Sequence, residues 1–321
     1  MANILVAGGA GFIGSHLCKK FITEGHHVFC VDNLITGDKG NIQSLLENPQ
    51  FSFVELDIST ISSEQLLNRF PAIEAIFHLA SPASPNKNAR KSYINYPIET
   101  MLANSQGTYH LLQLAQKANS AFLFASTSEV YGNPAVSPQP ETYFGNVNPN
   151  GVRSVYDESK RFGEAMTFGF RRKHGVNARI IRIFNTYGPF MQKDDGRVVT
   201  NLIDQAITNV PLTIYGDGKQ TRSFCYIDDM IDGIAKALFT QGTDGEVINL
   251  GNPDERSIAD FAALIKTLTG TKSEIIMEPM PEDDPLRRKP DITKAKQLLG
   301  WEPKVPLEEG LQKTIEYFRN A

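Results

Sequence analysis

Short apolar runs alternate with longer amphipathic stretches through the first half of the chain. Residues 4–7, 27–31, 51–56, 75–79, 121–125 and 178–183 are such runs, rich in β-branched and aromatic residues. They read as strands buried on both faces, as in a parallel sheet covered by helices. Between them, residues 15–24, 98–117 and 155–174 carry apolar positions at helical spacing. Strand, helix, strand at this spacing predicts an α/β fold with a doubly wound, Rossmann-like parallel sheet. After Gly188-Pro189 the texture changes toward Gly, Pro and charge. The expected division is a dinucleotide-binding domain over 1–188, with a returning segment near 221–252. A smaller C-terminal substrate-binding lobe takes 189–220 and 253–321.

The first strand runs straight into Gly8-Gly9-Ala10-Gly11-Phe12-Ile13-Gly14. Glycines at 8, 11 and 14 permit a tight turn and close backbone approach to a pyrophosphate at a helix N-terminus. A glycine triplet alone is a weak signal. Here it follows a strand, opens a helix, and has an acid, Asp32, at the end of the next strand, which is the confirming context. A carboxylate at that place accepts hydrogen bonds from the adenosine ribose and repels a 2′-phosphate, so NAD is preferred over NADP. Asp57, ending the third strand, is placed for the adenine edge. Phe12, Ile13, Asn33, Ile58, Leu79 and Ala80 complete the lining expected on either side of these turns.

Tyr156 and Lys160 stand four residues apart, on one face of a helix. A free tyrosine, with pKa about 10, is a poor base at neutral pH. An ammonium at ~4 Å and an effective dielectric of about 20 favours the phenolate by roughly 4 kcal/mol before desolvation. Tyr156 can then accept a proton from a substrate hydroxyl while hydride leaves. Thr127, Ser128 and Glu129 follow the fifth strand, where open α/β sheets hold their ligands. Thr127 is expected to donate to an oxygen on which charge develops, and Glu129 is a candidate acid or base.

The formal net charge of -4 gives no basic surplus, so nucleic acid is not an expected partner. An anionic substrate then needs a local cluster of arginines. Cys18, Cys30 and Cys225 have no metal-ligand spacing and are expected as reduced, mostly buried thiols. The acid pairs Asp194-Asp195, Asp228-Asp229 and Asp283-Asp284 lack histidine or cysteine partners, so no metal site is expected. The start lacks a basic stretch followed by a long apolar one, and no run reaches a membrane-spanning length. A cytoplasmic location is the expectation.

With these motifs in view, the chain resembles the extended short-chain dehydrogenase/reductases over nearly its full length. Within them it looks most like the UDP-glucuronate decarboxylases, or UDP-xylose synthases. The resemblance rests on Ala125-Ser126-Thr127-Ser128-Glu129-Val130-Tyr131-Gly132, the stretch 138–149, and Arg182-Ile183-Phe184-Asn185-Thr186-Tyr187-Gly188-Pro189. It continues in Asp195-Gly196-Arg197-Val198-Val199, residues 215–224, residues 251–255, Asp283-Asp284-Pro285, and Leu299-Gly300-Trp301-Glu302-Pro303. It implies Asn104 and Asn185 near cofactor and substrate. It implies Arg197, Tyr215, Arg222 and Arg288 around a nucleotide sugar, where a planar guanidinium can bind a diphosphate bidentately. It also implies a homodimer, paired through the helices at 98–117 and 155–174.

Two departures bear on the sugar. Position 190 is Phe where the decarboxylases carry Arg, and the loop at 86–97 is longer than theirs. The implied chemistry is oxidation at C4 of the sugar, loss of CO2 from the resulting β-keto acid, and return of hydride. Thr127 and Lys160 would stabilise the oxyanion, and Glu129 and Arg222 would serve the C5 end. A 4,6-dehydratase and a 4-epimerase share the first step. Ser128 stands where many dehydratases have Asp, and an epimerase has no need of an acid at 129. A non-catalytic NAD sensor would be expected to lack Tyr156 or Lys160.

Overall fold

The apolar run at the start forms β1 (Asn3–Ala7), with Ile4, Leu5, Val6 and Ala7 wholly buried. The next runs form β2 (His27–Asp32), β3 (Phe51–Glu55), β4 (Ala75–His78), β5 (Ala121–Thr127) and β6 (Ala178–Ile183). The computed structural model describes every residue except 71, 280–286 and 321. Asp283-Asp284-Pro285 therefore lies outside the described residues.

One sheet of seven strands carries the fold. Its order is Val247–Leu250, β6, β5, β4, β1, β2, β3, all parallel. Alternate residues serve opposite faces. Ile4, Val6, Cys30, Phe77, Leu123 and Ile181 pack on one side. Leu5, Ala7, Val31, Ile76, Phe122 and Ile180 pack on the other. This explains the unbroken apolar runs, since burying each Ile, Leu or Phe contributes about 1.5–3 kcal/mol. The chain winds outward one way through β1, β2 and β3, then the other way through β4, β5 and β6. The crevice at the carboxyl ends of β1 and β4 is the switch point where such sheets take ligands.

The helices follow the predicted order with one difference. α1 spans Phe12–Thr23 and α2 Ser63–Arg69. The helical pattern at 98–117 is not one α-helix. It is α3 (Pro97–Leu102), a π-helical turn at Ala103–Gly107, and α4 (Thr108–Ala118). The Thr108 hydroxyl donates to the Asn104 carbonyl at 2.7 Å. Widened turns of this kind re-aim a side chain and recur at functional sites; here the side chain is Asn104. α5 spans Ser154–His174 and ends at Gly175 in the left-handed region. Its last turn holds Arg171, Arg172, Lys173 and His174, the charges that suit a helix C-terminus.

A second apolar cluster is built from later residues, among them Leu202, Ile203, Phe224, Phe261, Ile265 and Phe318. Small β pairings tie this region together. Arg222 stands opposite Arg256 in an antiparallel pair and opposite Arg288 in a parallel one. Cys18, Cys30 and Cys225 are buried and free. Among the described residues, no helix is long and apolar enough to cross a membrane and no acid, His or Cys cluster could hold a metal.

Candidate active site

At the switch point, backbone makes the walls. Gly8 has a φ of 82°, and its N–H donates to the Val31 carbonyl at 2.8 Å. A Cβ at Gly8 would lie 2.6 Å from the Ala80 nitrogen, and one at Gly14 would lie 2.1 Å from the Gly8 carbonyl oxygen. Only glycine fits either place. Gly11 caps α1 with no side-chain hydrogen bond, and the first turn holds no acid. The first N–H groups of the helix lack intrahelical partners, so they are ready for an anion. Phe12 and Ile13 supply that first turn, while their side chains pack toward the second apolar cluster.

Asp32 ends β2 almost wholly buried, with one oxygen accepting from Ala10 N–H at 3.0 Å and the other from Leu34 N–H at 2.9 Å. Burial raises its pKa, and the two backbone bonds and the Lys91 charge oppose that rise. Asp57 is stretched between Asn33, which donates at 2.9 Å, and Ser59, whose hydroxyl donates at 2.6 Å. Burial would raise its pKa, but the bonds from Ser59 and Asn33 prevail and lower it. Gly8, Gly11, Asp32, Asn33, Asp57, Ile58, Leu79 and Ala80 all line one cleft of about 590 Å³, counting its open mouth. Asn104 donates to Ser81 at 2.9 Å and to Ser159 at 3.0 Å, while its buried Oδ1 has no protein partner. A glycine cradle, an oriented carboxylate and this open acceptor together fit a dinucleotide.

The chemistry-bearing side chains stand beyond β5. The Thr127 hydroxyl accepts from Glu129 N–H at 3.2 Å and is hydrogen-bonded to the Tyr156 hydroxyl. Burial pushes the Tyr156 phenol up to about 12, against the pull of Thr127 and Arg197. Lys160 shares the α5 face with Tyr156. Its ammonium donates to the Ala125 carbonyl at 2.8 Å, sits over Phe124, and lies 5.8 Å from the Tyr156 ring centroid. Burial lowers its pKa to about 7. On the phenol itself, the Thr127 hydrogen bond and the Arg197 charge are the influences that pull its pKa down. Ser128 is buried in the short 3₁₀ turn Ser128–Tyr131.

Glu129 is held between two arginines. Arg153 donates to one of its oxygens at 2.7 Å and Arg288 to the other. Burial favours the neutral acid, but Arg153, Arg288 and Arg222 outweigh it and hold the pKa at about 2. This carboxylate stays ionised and locks arginines in place. Arg222 is buried beside Arg288. Arg197 begins the helix at Val198–Thr208 and is paired with Asp195. Tyr215 is partly exposed at the end of the strand Leu212–Tyr215, and the Asn185 carbonyl accepts from Cys225 N–H at 2.9 Å. Among the described residues, Tyr156 makes its ring contact with Tyr93 and its hydroxyl contact with Thr127, not with these two.

Three residues escaped the sequence reading. Arg153 completes the clamp on Glu129. Asp157 is buried with an unpartnered Oδ1, and burial and Glu129 raise its carboxyl to about 8. Tyr93 stacks on Tyr156 with ring centroids 5.0 Å apart and planes 5° from parallel, its buried hydroxyl without a protein partner. Its position in the longer loop was the available signal.

This arrangement, a dinucleotide cleft leading to a Tyr-Thr-Lys group, defines an extended short-chain dehydrogenase/reductase. The chain belongs to the NAD dependent epimerase/dehydratase family, whose model matches residues 4–251. It is 49% identical over 317 residues to UDP-glucuronic acid decarboxylase 1 of Xenopus tropicalis, covering 99% of this chain and 72% of that protein. It is 48% identical over 318 residues to UDP-glucuronic acid decarboxylase 5 of Arabidopsis thaliana, covering 99% and 89%. Among solved structures it superposes on UDP-glucuronic acid 4-epimerase of Bacillus cereus, in complex with UDP-glucuronic acid and NAD. The TM-score is 0.87 at 32% identity, with 99% of each chain covered.

Proposed function

We propose that this chain converts UDP-glucuronate to UDP-xylose. The observation that carries the reading is the 49% identity with a UDP-glucuronic acid decarboxylase across 99% of the chain. The arginine cluster around Glu129 supports it, since the substrate carries a diphosphate and a carboxylate. Gly8, Gly11, Gly14, Asp32, Asp57 and Asn104 would hold NAD, which would supply a hydride acceptor restored within each turnover. Tyr156 takes the proton of the sugar 4-hydroxyl, and Thr127 holds the oxygen through its hydrogen bond. With a ketone at C4 the C6 carboxylate is a β-keto acid, and CO2 leaves with the electron pair in an enolate. Thr127 and Lys160 stabilise that oxyanion. C5 then takes a proton from solvent, and Tyr156 returns its proton to the C4 oxygen as the sugar is reduced again. Arg222, Arg288 and Arg197 hold the anionic substrate, and Glu129 keeps Arg288 and Arg153 in register.

The same reading divides the chain into a cofactor domain over 1–188, with 221–252 returning to it, and a sugar-nucleotide lobe over 189–220 and 253–321. It also makes the protein a cytoplasmic homodimer. Ile98, Met101, Leu102, Tyr109 and Phe162 are exposed on α3, α4 and α5, an apolar surface suited to a four-helix contact. The deciding experiment incubates the protein with UDP-glucuronate and catalytic NAD, with proton NMR of the sugar and CO2 capture. CO2 with a pentose product supports decarboxylation. UDP-galacturonate without CO2 would replace it with 4-epimerisation.

A further inference from the structure

The cleft described above has an electrostatic problem. Its lining includes three carboxylates, Asp32, Asp57 and Glu99, and no Lys or Arg. A pyrophosphate carries two negative charges into this place. Backbone N–H groups at the start of α1 answer part of that charge. A cation at the rim would answer more, and one is present on the segment that distinguishes this chain from the decarboxylases.

Residues 84–93 form a self-bonded strap. Tyr93 N–H donates to the Ser84 carbonyl at 3.0 Å, and the Ser92 hydroxyl donates to the same oxygen at 2.9 Å. Ala89, Ser92 and Tyr93 are buried. One end is pinned to the substrate side, where the Ser84 hydroxyl donates to the Asp195 carbonyl at 2.5 Å. Near the other end, the Lys91 ammonium donates to the Gly37 carbonyl at 3.2 Å. Gly37 lines the cleft, and a Cβ there would lie 2.6 Å from an Asp32 oxygen. The next residue, Asp38, donates its N–H to the Ala10 carbonyl at 3.0 Å. Lys91 is thus anchored one residue from the glycine turn itself. Thr36, the other neighbour of Gly37, has its carbonyl held by Gln192 at 2.7 Å. The rim of the cleft is gripped from two separate stretches of chain.

We propose that Lys91 is a cofactor-retaining residue, its ammonium pairing with the pyrophosphate of bound NAD while the 84–93 strap crosses the mouth of the cleft. This rests on the dinucleotide reading of the cleft and is independent of which sugar is processed. Retention suits the chemistry, because one NAD must stay through oxidation and reduction.

The test follows release of labelled NAD from the loaded protein into excess unlabelled NAD, for wild type, Lys91→Met, Lys91→Gln and Lys91→Arg. Equilibrium titration with NAD and with adenosine, which has no phosphate, accompanies it. A charged hydrogen bond lost here should speed release about tenfold in Lys91→Met. Lys91→Gln, which can still donate to the Gly37 carbonyl but has no charge, should also release faster. Lys91→Arg should stay near wild type, adenosine affinity should not change, and high salt should erase the differences. Wild-type release from Lys91→Gln would overturn the proposal, as would a parallel loss of adenosine affinity. Failure of the wild type to bind NAD would remove the dinucleotide reading itself, a different result from NAD bound equally by all four proteins.

Discussion

The two ends of the crevice are built by different means. At the cofactor end, glycines, backbone N–H groups and the ends of consecutive strands make the surface. Gly8, Gly14, Asp32 and Asp57 are fixed by atoms close to them in the chain or one strand away. At the other end, Glu129, Arg153, Arg222 and Arg288 come from four separate stretches and interact mainly through one another's charges, while Arg197 is paired with Asp195 beside it. A backbone-built site keeps its shape when one side chain changes. A charge-built site shifts as a unit, because removing one partner leaves another buried without compensation. Mutations at the sugar end should therefore act beyond their own contacts, and those at the cofactor end should stay local.

The largest effect should come where the two ends meet. Tyr156→Phe removes the hydroxyl proposed to take the substrate proton and leaves the ring stacked on Tyr93. Turnover should fall roughly 10²–10⁴-fold, the usual worth of positioned proton transfer, while NAD binding stays unchanged by titration. Wild-type turnover in this variant would take Tyr156 out of the mechanism.

Next comes the charge-built end. Glu129→Gln removes one negative charge from between Arg153 and Arg288. With charged hydrogen bonds worth ~1.5–3 kcal/mol, kcat/KM should drop roughly 10- to 100-fold. The same residue sets an acid-stability window. Its folded pKa of about 2 lies below the ordinary 4.5. The unfolded chain therefore binds the proton first as pH falls, and the stabilisation, complete above about 4.5, is lost toward about 2. Melting temperature followed from pH 5 downward should decline less steeply in Glu129→Gln. Equal slopes would mean that the cluster contributes nothing to acid lability.

A smaller, local effect is expected at the cofactor end. Asp32→Asn keeps an acceptor for one of the two backbone N–H groups but removes the charge. NAD affinity should weaken about tenfold, the loss expected for one charged hydrogen bond, and NADP should be rejected less strongly. If the ratio of the two affinities does not move, Asp32 serves the Ala10 and Leu34 N–H groups alone.

The same contrast explains what could be read from the residues. The glycine turn, the strand-end acids Asp32 and Asp57 and the strands along the chain were legible because their signals are local: spacing, strand ends and apolar runs. The π turn at Ala103–Gly107 was not, because its apolar spacing still looks helical over 98–117. The clamp on Glu129 was invisible, because Arg153 and Arg288 meet that carboxylate only through the fold. Tyr156 and Lys160 were correctly placed on one helix face, but spacing could not show that the Ala125 carbonyl takes the ammonium. Tyr93 is the instructive omission. The loop that looked like a simple departure from the family places its own ring on the Tyr156 ring.

The smallest effect is expected at the other departure, Phe190. The sequence raised it as a lost sugar contact. In the fold its ring lies 5.1 Å from His16 of α1 and 5.3 Å from Tyr317 near the C-terminus, centroid to centroid. His16 in turn bonds the Pro189 carbonyl at 3.0 Å. These contacts join α1 to the last helix, and the aromatic contacts place the ring against neither Tyr156 nor Tyr93. Phe190 also sits at a φ of 69°, a conformation that a bulky residue tolerates only when its surroundings enforce it. Phe190→Arg should leave the sugar preference intact and change kcat/KM by no more than about threefold, less than the loss of one ordinary hydrogen bond. Its cost should fall on the melting temperature, through the lost aromatic contacts with His16 and Tyr317. A change in which sugar is turned over, at unchanged stability, would instead return position 190 to the substrate end and break the separation between the two regions there.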